Sequence, residues 1–166
     1  VLGINLEEIV ESRILPSHLR QKDKDDKLGI LDVRVLLNNK EQIDIEIQVT
    51  SSEYWAERTL FYLGKMFVDQ LKPGEDYQKL EKCIHVGILN FTLFDDEEYY
   101  SRFHFWSDQG RKMYSDKFEI HTLELPKLAK HEYPETELLK WLQFINAETK
   151  EEFEMAAEKS EYIKKA

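Results

Sequence analysis

The residues best suited to chemistry in this chain lie between positions 43 and 49. Asp44, Glu46 and Gln48 alternate there with aliphatic residues. Because successive side chains of a β-strand point to opposite faces, this pattern predicts a strand that carries two carboxylates and an amide on one face, roughly 7 Å apart. Such a row could hold a metal ion, but the same alternation is typical of any strand with one solvent-exposed face. On spacing alone, the solvent-exposed strand is the favoured interpretation.

A third carboxylate, Asp32, lies in the aliphatic stretch 28–37, which predicts the strand before this one. A three-residue loop, Asn38-Asn39-Lys40, would place Asp32 opposite Glu46 on the same face. A two-residue loop would place Asp32 opposite Ile45, where an unpaired carboxylate on the apolar face costs several kcal/mol. We therefore predict the three-residue loop or an equivalent bulge.

The elements around this hairpin are predicted from local signals. Residues 4–15 fit either a helix or a strand, and we predict a strand from Ile9 that ends at Pro16. The spacing of Thr50 and Glu53 predicts a capping box and a helix that reaches about Leu71. The residues expected on the buried face of this helix are Ala56, Leu60, Leu63, Phe67 and Leu71.

The second half of the chain continues the sheet and then becomes helical. The almost continuous apolar run 83–91 predicts a strand buried on both faces, and two more strands are expected near 102–106 and 118–125. Beyond Pro134 the apolar spacing predicts helices, and Thr149 with Glu152 is typical of a second capping box. We expect an α/β fold with a mixed central sheet flanked by helices, with residues 1–131 as the core and 132–166 as a helical C-terminal extension.

The composition of the chain limits the kinds of partner and compartment that we expect. The chain has 166 residues, with 33 acidic against 23 basic residues and a net charge of −10, which argues against a strong nucleic-acid binder. Only residues 13–40 are basic, with seven cations against four acids, and they include Lys27 and Arg34. A single cysteine, Cys83, and the lack of a long apolar stretch favour the cytoplasm and no membrane span. The first residue, Val1, is not Met, so we expect a segment upstream.

An acidic residue ends a hydrophobic strand, and a turn, Glu-x-Gln in the next strand, a helix and a buried strand follow. In this order of its elements the chain resembles the PD-(D/E)XK nuclease superfamily. Within it the chain is similar to the PD-(D/E)XK nuclease family transposases, the recombination-promoting nuclease group. The motifs that carry the resemblance cover about residues 28–127. They are Leu31-Asp32-Val33, Ile45-Glu46-Ile47-Gln48, Arg58 with Tyr62, Gly74-Glu75-Asp76-Tyr77, Ile88-Leu89-Asn90-Phe91, Glu119-Ile120-His121 and Glu124-Leu125-Pro126-Lys127.

The resemblance implies a restriction-endonuclease-like fold and a metal-dependent DNA endonuclease. Asp32 and Glu46 would bind Mg²⁺ or Mn²⁺ with the backbone carbonyl of Ile47 nearby, because hard oxygen ligands suit these ions. Gln48 stands where most of the superfamily has lysine, and its amide has no proton that titrates near neutrality, so it can only orient water or phosphate. The helix that opens the superfamily core is expected upstream of this chain.

Partners follow from the resemblance and from the charge together. We expect this chain alone to bind DNA weakly, through Arg58, Lys27 and Arg34. A homo-oligomer is possible, and we expect no association with a membrane. Tyr62 is expected to pack in the core. The five histidines lack metal-ligand spacing, and we assign them no role. The alternative function is a catalytically degenerate nuclease fold that serves as a protein-interaction module, which the net charge and Gln48 both favour.

Overall fold

The computed structural model describes residues 7, 9–16, 18–19, 32–38 and 40–165. Within them, six strands form one mixed sheet in the order β1-β2-β3-β4-β6-β5, which confirms the predicted α/β class. The strands are β1 (Ser12–Leu15), β2 (Val33–Leu37), β3 (Glu41–Gln48), β4 (Cys83–Leu89), β5 (Tyr100–Trp106) and β6 (Met113–Glu124). The helices are α1 (Trp55–Val68), α2 (Glu137–Ile145) and α3 (Lys150–Glu158), with short 3₁₀ turns at Tyr77–Lys79, Leu125–Lys127 and Ile163–Lys165.

The β2–β3 hairpin has the predicted register. Val33 pairs with Ile45 and Leu37 pairs with Glu41, so the loop contains three residues, 38–40. Asn38 adopts a φ of 51°, a left-handed conformation that asparagine tolerates better than most residues. The hairpin therefore carries Asp32 towards the end of β3 that holds Glu46.

Strand β4 lies at the centre of the sheet and is buried along its whole length, as predicted. It runs parallel to β3 on one side and to β6 on the other, while the outer strands pair antiparallel. Cys83 of β4 belongs to a core cluster with residues of α1, whereas Ile84 and Val86 belong to a second cluster with Leu142 of α2. Helices therefore cover both faces of the parallel strands that position the site.

Helix α1 begins later than predicted. Its N-cap is Tyr54, which makes no capping hydrogen bond through its side chain, so the predicted capping box at Thr50 is wrong. The side chain of Gln48 donates a hydrogen bond of 2.9 Å to the carbonyl oxygen of Thr50 and thereby holds this residue to the end of β3. The helix starts instead at Trp55, whose ring is buried against the sheet.

The buried face of α1 also differs from the prediction. Ala56 and Leu60, which were expected in the core, are exposed. The sheet face beneath the helix contains charged side chains, and the helix covers it with aromatic and polar residues as well as aliphatic ones. The buried residues of α1 are Trp55, Thr59, Tyr62, Leu63 and Met66.

The C-terminal region contains two helices, as expected. Thr149 and Glu152 form the predicted capping box at the start of α3. Leu142 of α2 is buried in the same cluster as residues of the sheet. The division of the chain into a core at 1–131 and an extension at 132–166 stays a prediction.

Strand β6 begins at Met113, five residues earlier than expected, and lengthens the hairpin with β5. No helix of the described ranges is long and apolar enough to cross a membrane.

Candidate active site

The polar face of β3 is covered, not exposed to solvent. Helix α1 lies over it, and the exposed fractions of Asp44 and Glu46 are 0% and 2%. The interpretation of this strand as an ordinary solvent-exposed face is therefore wrong. Burial of carboxyl groups requires partners, because a buried charge without them is strongly unfavourable.

Glu46 has two different environments at its two oxygens. Its Oε1 forms an ion pair with Nη2 of Arg58 on α1. Its Oε2 is buried and has no hydrogen-bond partner among the described residues. Burial raises the pKa of Glu46, while the charges of Arg58 and His85 act in the opposite direction. Glu46 is therefore a buried carboxyl group with one oxygen available for a further ligand.

Asp32 lies at the surface immediately before β2. Extension of the β2–β3 register by one residue places it opposite Glu46, as predicted. Its Oδ2 accepts a hydrogen bond of 3.0 Å from the backbone N–H of Ile47. The charge of Asp32 contributes to the pKa of both Glu46 and Arg58, so these three groups belong to one electrostatic site.

Both the oxygen and the nitrogen of the Gln48 side-chain amide have a hydrogen-bond partner, and Arg58 links Gln48 to Glu46. Nη1 of Arg58 donates to Oε1 of Gln48 over 3.4 Å, and the amide nitrogen of Gln48 donates to the carbonyl oxygen of Thr50. The guanidinium carbon of Arg58 lies 5.5 Å from the centroid of the Tyr62 ring. Tyr62 is buried, as predicted, but it also supports Arg58.

Asp44 and His85 form a contact that the sequence analysis missed. Nδ1 of His85 lies 2.7 Å from Oδ2 of Asp44, and both side chains are fully buried. This contact gives each of the two buried side chains a polar partner. One ligand atom each from Asp44, Glu46 and His85 lie within 4.8 Å of one another. The available signal was a histidine inside an otherwise apolar buried strand, since such a residue needs a polar partner.

Gly87 explains how α1 approaches this site so closely. It lies opposite Glu46 on β4, and a Cβ atom there would be 2.6 Å from Cζ2 of Trp55 and 3.4 Å from Nε2 of His85. Trp55 also contacts the His85 ring, with centroids 5.6 Å apart. A residue without a side chain thus allows the tryptophan to cover the buried carboxylates.

The two remaining predicted residues lie elsewhere or outside the described part of the chain. Arg34 is opposite Asp44 on β2, partly buried, and its Nη2 donates a hydrogen bond of 2.5 Å to Oε1 of Gln42. Burial lowers the pKa of Arg34. Lys27 lies outside the described residues, and a role of either residue in substrate binding stays a prediction.

The donor set fits a divalent cation. The buried atoms Glu46 Oε2, Asp44 Oδ1 and His85 Nε2 have no hydrogen-bond partner among the described residues. Oxygen donors suit Mg²⁺ and Mn²⁺, and a histidine nitrogen is better suited to Mn²⁺ and other transition metals than to Mg²⁺. Glu46 belongs to an inner set of possible ligands with Asp44 and His85. The predicted pair of Glu46 with Asp32 would form a second, outer set.

Comparison with known proteins agrees with the resemblance seen in the motifs. The family described as PD-(D/E)XK nuclease family transposase matches residues 1–166, which is the whole chain. No curated protein and no solved structure matched the chain. The mixed sheet covered by helices, with Glu46 buried and Gln48 partly buried on β3, is consistent with this match. The match over the whole length shows that this chain belongs to the PD-(D/E)XK nuclease family transposases.

Proposed function

We propose that this chain is a Mg²⁺-dependent DNA endonuclease of the transposase or recombination-promoting type, which hydrolyses phosphodiesters with metal-activated water. The observation that carries the proposal is the gathering of Asp32, Glu46 and Gln48 at one end of the β2–β3 hairpin, with Arg58 bound to Glu46 and Gln48. Membership of a nuclease family implies DNA as the substrate.

In this proposal Asp32 and Glu46 hold the cation, with the carbonyl oxygen of Ile47 nearby. When bound, a divalent cation supplies charge that polarises the phosphodiester and lowers the pKa of water. The hydrogen bond from the Ile47 N–H fixes the Asp32 carboxylate at the end of the hairpin. The buried Oε2 of Glu46 provides a second carboxylate oxygen without a competing donor among the described residues.

Gln48 and Arg58 orient the substrate in this scheme. Gln48 cannot accept a proton near neutrality, so its amide contributes only position, through the contacts that fix it to Thr50 and Arg58. Arg58 presents a guanidinium that can bind phosphate oxygens in a bidentate manner. Its side chain is 36% exposed, so it can reach a ligand at the surface.

Nicking of supercoiled plasmid tests the proposal. We expect nicking with Mg²⁺ or Mn²⁺ that stops in excess chelator and is lost in Asp32→Asn and Glu46→Gln, whereas Gln48→Ala retains part of it. Glu53→Gln is the matched control, because it removes one acidic charge from an exposed position just before α1. Nicking that persists in chelator, or in Glu46→Gln, would falsify this mechanism.

A second candidate function has its own support. Arg58 already neutralises Glu46, and the chain carries a net charge of −10, as expected for a degenerate nuclease fold that binds proteins. This alternative predicts no nicking under any divalent cation and no effect of Ca²⁺ on the affinity for a labelled duplex. The endonuclease proposal predicts weak binding, about 10⁻⁵ M or poorer at physiological salt, that Ca²⁺ strengthens.

A further inference from the structure

Arg58 contacts both the side chain proposed to bind the cation and the side chain proposed to orient the phosphate. Its guanidinium contacts Glu46 through Nη2 and Gln48 through Nη1, so it lies across the side chains proposed to handle the cation and the phosphate. We propose that Arg58 is a positioning residue that changes partner: it neutralises Glu46 before a divalent cation binds and contacts the DNA phosphate afterwards. This inference rests on the proposed function of the site.

Burial explains why the ionised form of Glu46 needs a cationic partner. The side chain of Glu46 is 3% exposed, and a carboxylate removed from water is stabilised only by nearby positive charge or hydrogen bonds. In the structure Arg58 provides that charge. A divalent cation on the same carboxylate would provide more of it, and the two positive groups would repel each other across a few ångströms.

The surroundings of Arg58 allow its guanidinium to move. A cavity of about 500 Å³ opens beside it, lined by Arg58 together with Ser52, Tyr54, Glu57, Phe61 and Tyr62. The Tyr62 ring is buried and lies 5.5 Å from the guanidinium, so it can support the side chain in either orientation. The contact with Gln48 is the longer of the two, at 3.4 Å.

Two opposite effects follow from removal of the guanidinium. The variant Arg58→Met removes the charge that competes for Glu46, so divalent cations should bind more tightly. The same variant removes a phosphate ligand, so DNA should bind less tightly when the cation is present. A purely structural role of Arg58 would weaken both interactions.

The first measurement is Mn²⁺ binding, followed by the electron paramagnetic resonance signal of free Mn²⁺. We expect Arg58→Met and Arg58→Gln to bind Mn²⁺ at least about tenfold more tightly than the unchanged chain, because the repulsion between like charges is lost. Arg58→Lys keeps the charge and should remain within about threefold. Lys65→Met is the control on the same helix, since Lys65 contacts the Phe61 ring, and it should change affinity less than twofold.

The second measurement is the affinity for a labelled duplex in Ca²⁺ and in chelator. In the unchanged chain Ca²⁺ should strengthen binding severalfold, and in Arg58→Met this gain should disappear even though the cation binds better. Circular dichroism during thermal unfolding establishes that each variant is folded, and Arg58→Gln replaces Arg58→Met if the latter is not.

The outcomes separate the inference from the proposed function. If Mn²⁺ binds the unchanged chain through Glu46 with the same or higher affinity than it binds Arg58→Met and Arg58→Gln, the exchange of partners is wrong and the metal site stands. If Mn²⁺ binds neither the unchanged chain nor these variants, the inference and the proposed metal dependence are both wrong. Tighter Mn²⁺ binding together with an unchanged gain from Ca²⁺ would overturn the phosphate contact.

Discussion

The ring of Trp55 occupies the space in which a side chain on Gly87, the residue opposite Glu46, would lie. This contact fixes the first turn of α1 over the buried carboxylates. Arg58 lies three residues after Trp55 in the same first turn, so its position depends on this contact. The geometry of the site thus depends on a glycine in β4 that contributes no functional group.

Gly87→Ala tests this dependence. Its Cβ would lie 2.6 Å from Cζ2 of Trp55, which is buried and cannot move away freely. We expect the free energy of unfolding to fall by about 1–3 kcal/mol, as is typical of overpacked cores. Denaturant unfolding measures it. Gly64→Ala in α1 is the control, because nothing lies within 4 Å of its Cβ and a helical alanine should stabilise the protein by up to about 1 kcal/mol. Equal stabilities of the two variants would contradict the contact.

Lys127→Met tests the loop that follows β4. Nζ of Lys127 is buried and donates to Asp96 Oδ1 at 2.7 Å, to Glu124 Oε1 at 3.0 Å and to the carbonyl oxygen of Glu98 at 3.0 Å. Glu124 also accepts a hydrogen bond of 2.6 Å from the N–H of Leu93. Removal of the ammonium group leaves a buried carboxylate without its counter-charge, which costs about 3–5 kcal/mol in comparable pairs.

The same unfolding experiment includes Lys130→Met, which removes a charge from an exposed position three residues away. This control should change the free energy of unfolding by less than about 0.5 kcal/mol. The combination of Lys127→Met with Glu124→Gln should recover part of the loss, because the uncompensated charge is gone. A Lys127→Met protein as stable as the control would show that this ion-pair network does not hold the loop.

A pH dependence of stability follows from His121. Its Nε2 lies 2.7 Å from Oε1 of Glu119 and its Nδ1 lies 2.9 Å from the hydroxyl of Tyr100. This arrangement satisfies a neutral imidazole, with Nε2–H as donor and Nδ1 as acceptor. Burial lowers the pKa of His121 from 6.5 to about 4, although Glu119 acts in the opposite direction.

Between these two pH values the unfolded chain binds a proton that the folded protein does not. The free energy of unfolding should therefore decrease as the pH falls from 6.5 to about 4, with about 1.4 kcal/mol for each tenfold difference in proton affinity. Denaturant titrations across this range should show a smaller slope in His121→Asn. His131→Asn, at a more exposed position, should leave the slope unchanged. An identical slope in His121→Asn would mean that the histidine is not the titrating group.

The hairpin and the order of the site residues could be predicted from the sequence because the decisive signals are local. Strict alternation fixes the faces of β3, and the cost of a carboxylate on the apolar face selects the register that brings Asp32 opposite Glu46. Within the three-residue loop, Asn38 adopts the left-handed conformation that asparagine tolerates. These constraints operate within about twenty residues.

Features that depend on distant residues could not be predicted in the same way. Asp44 and His85 are 41 positions apart, and only the parallel register of β3 and β4 brings them together. The start of α1 was mistaken because the spacing of Thr50 and Glu53 satisfies a local rule, while the position of Trp55 depends on Gly87 in a later strand. Tertiary packing overrides local capping signals in such cases.

The central claim, that Asp32 and Glu46 hold a catalytic cation, is tested most directly by a crystal soaked in Mn²⁺. Anomalous scattering at the manganese edge locates the ion without reference to activity. We expect one ion with carboxylate oxygens of both Asp32 and Glu46 at about 2.0–2.6 Å. An ion bound only by the inner set of Asp44, Glu46 and His85, or no ion at millimolar Mn²⁺, would contradict the account.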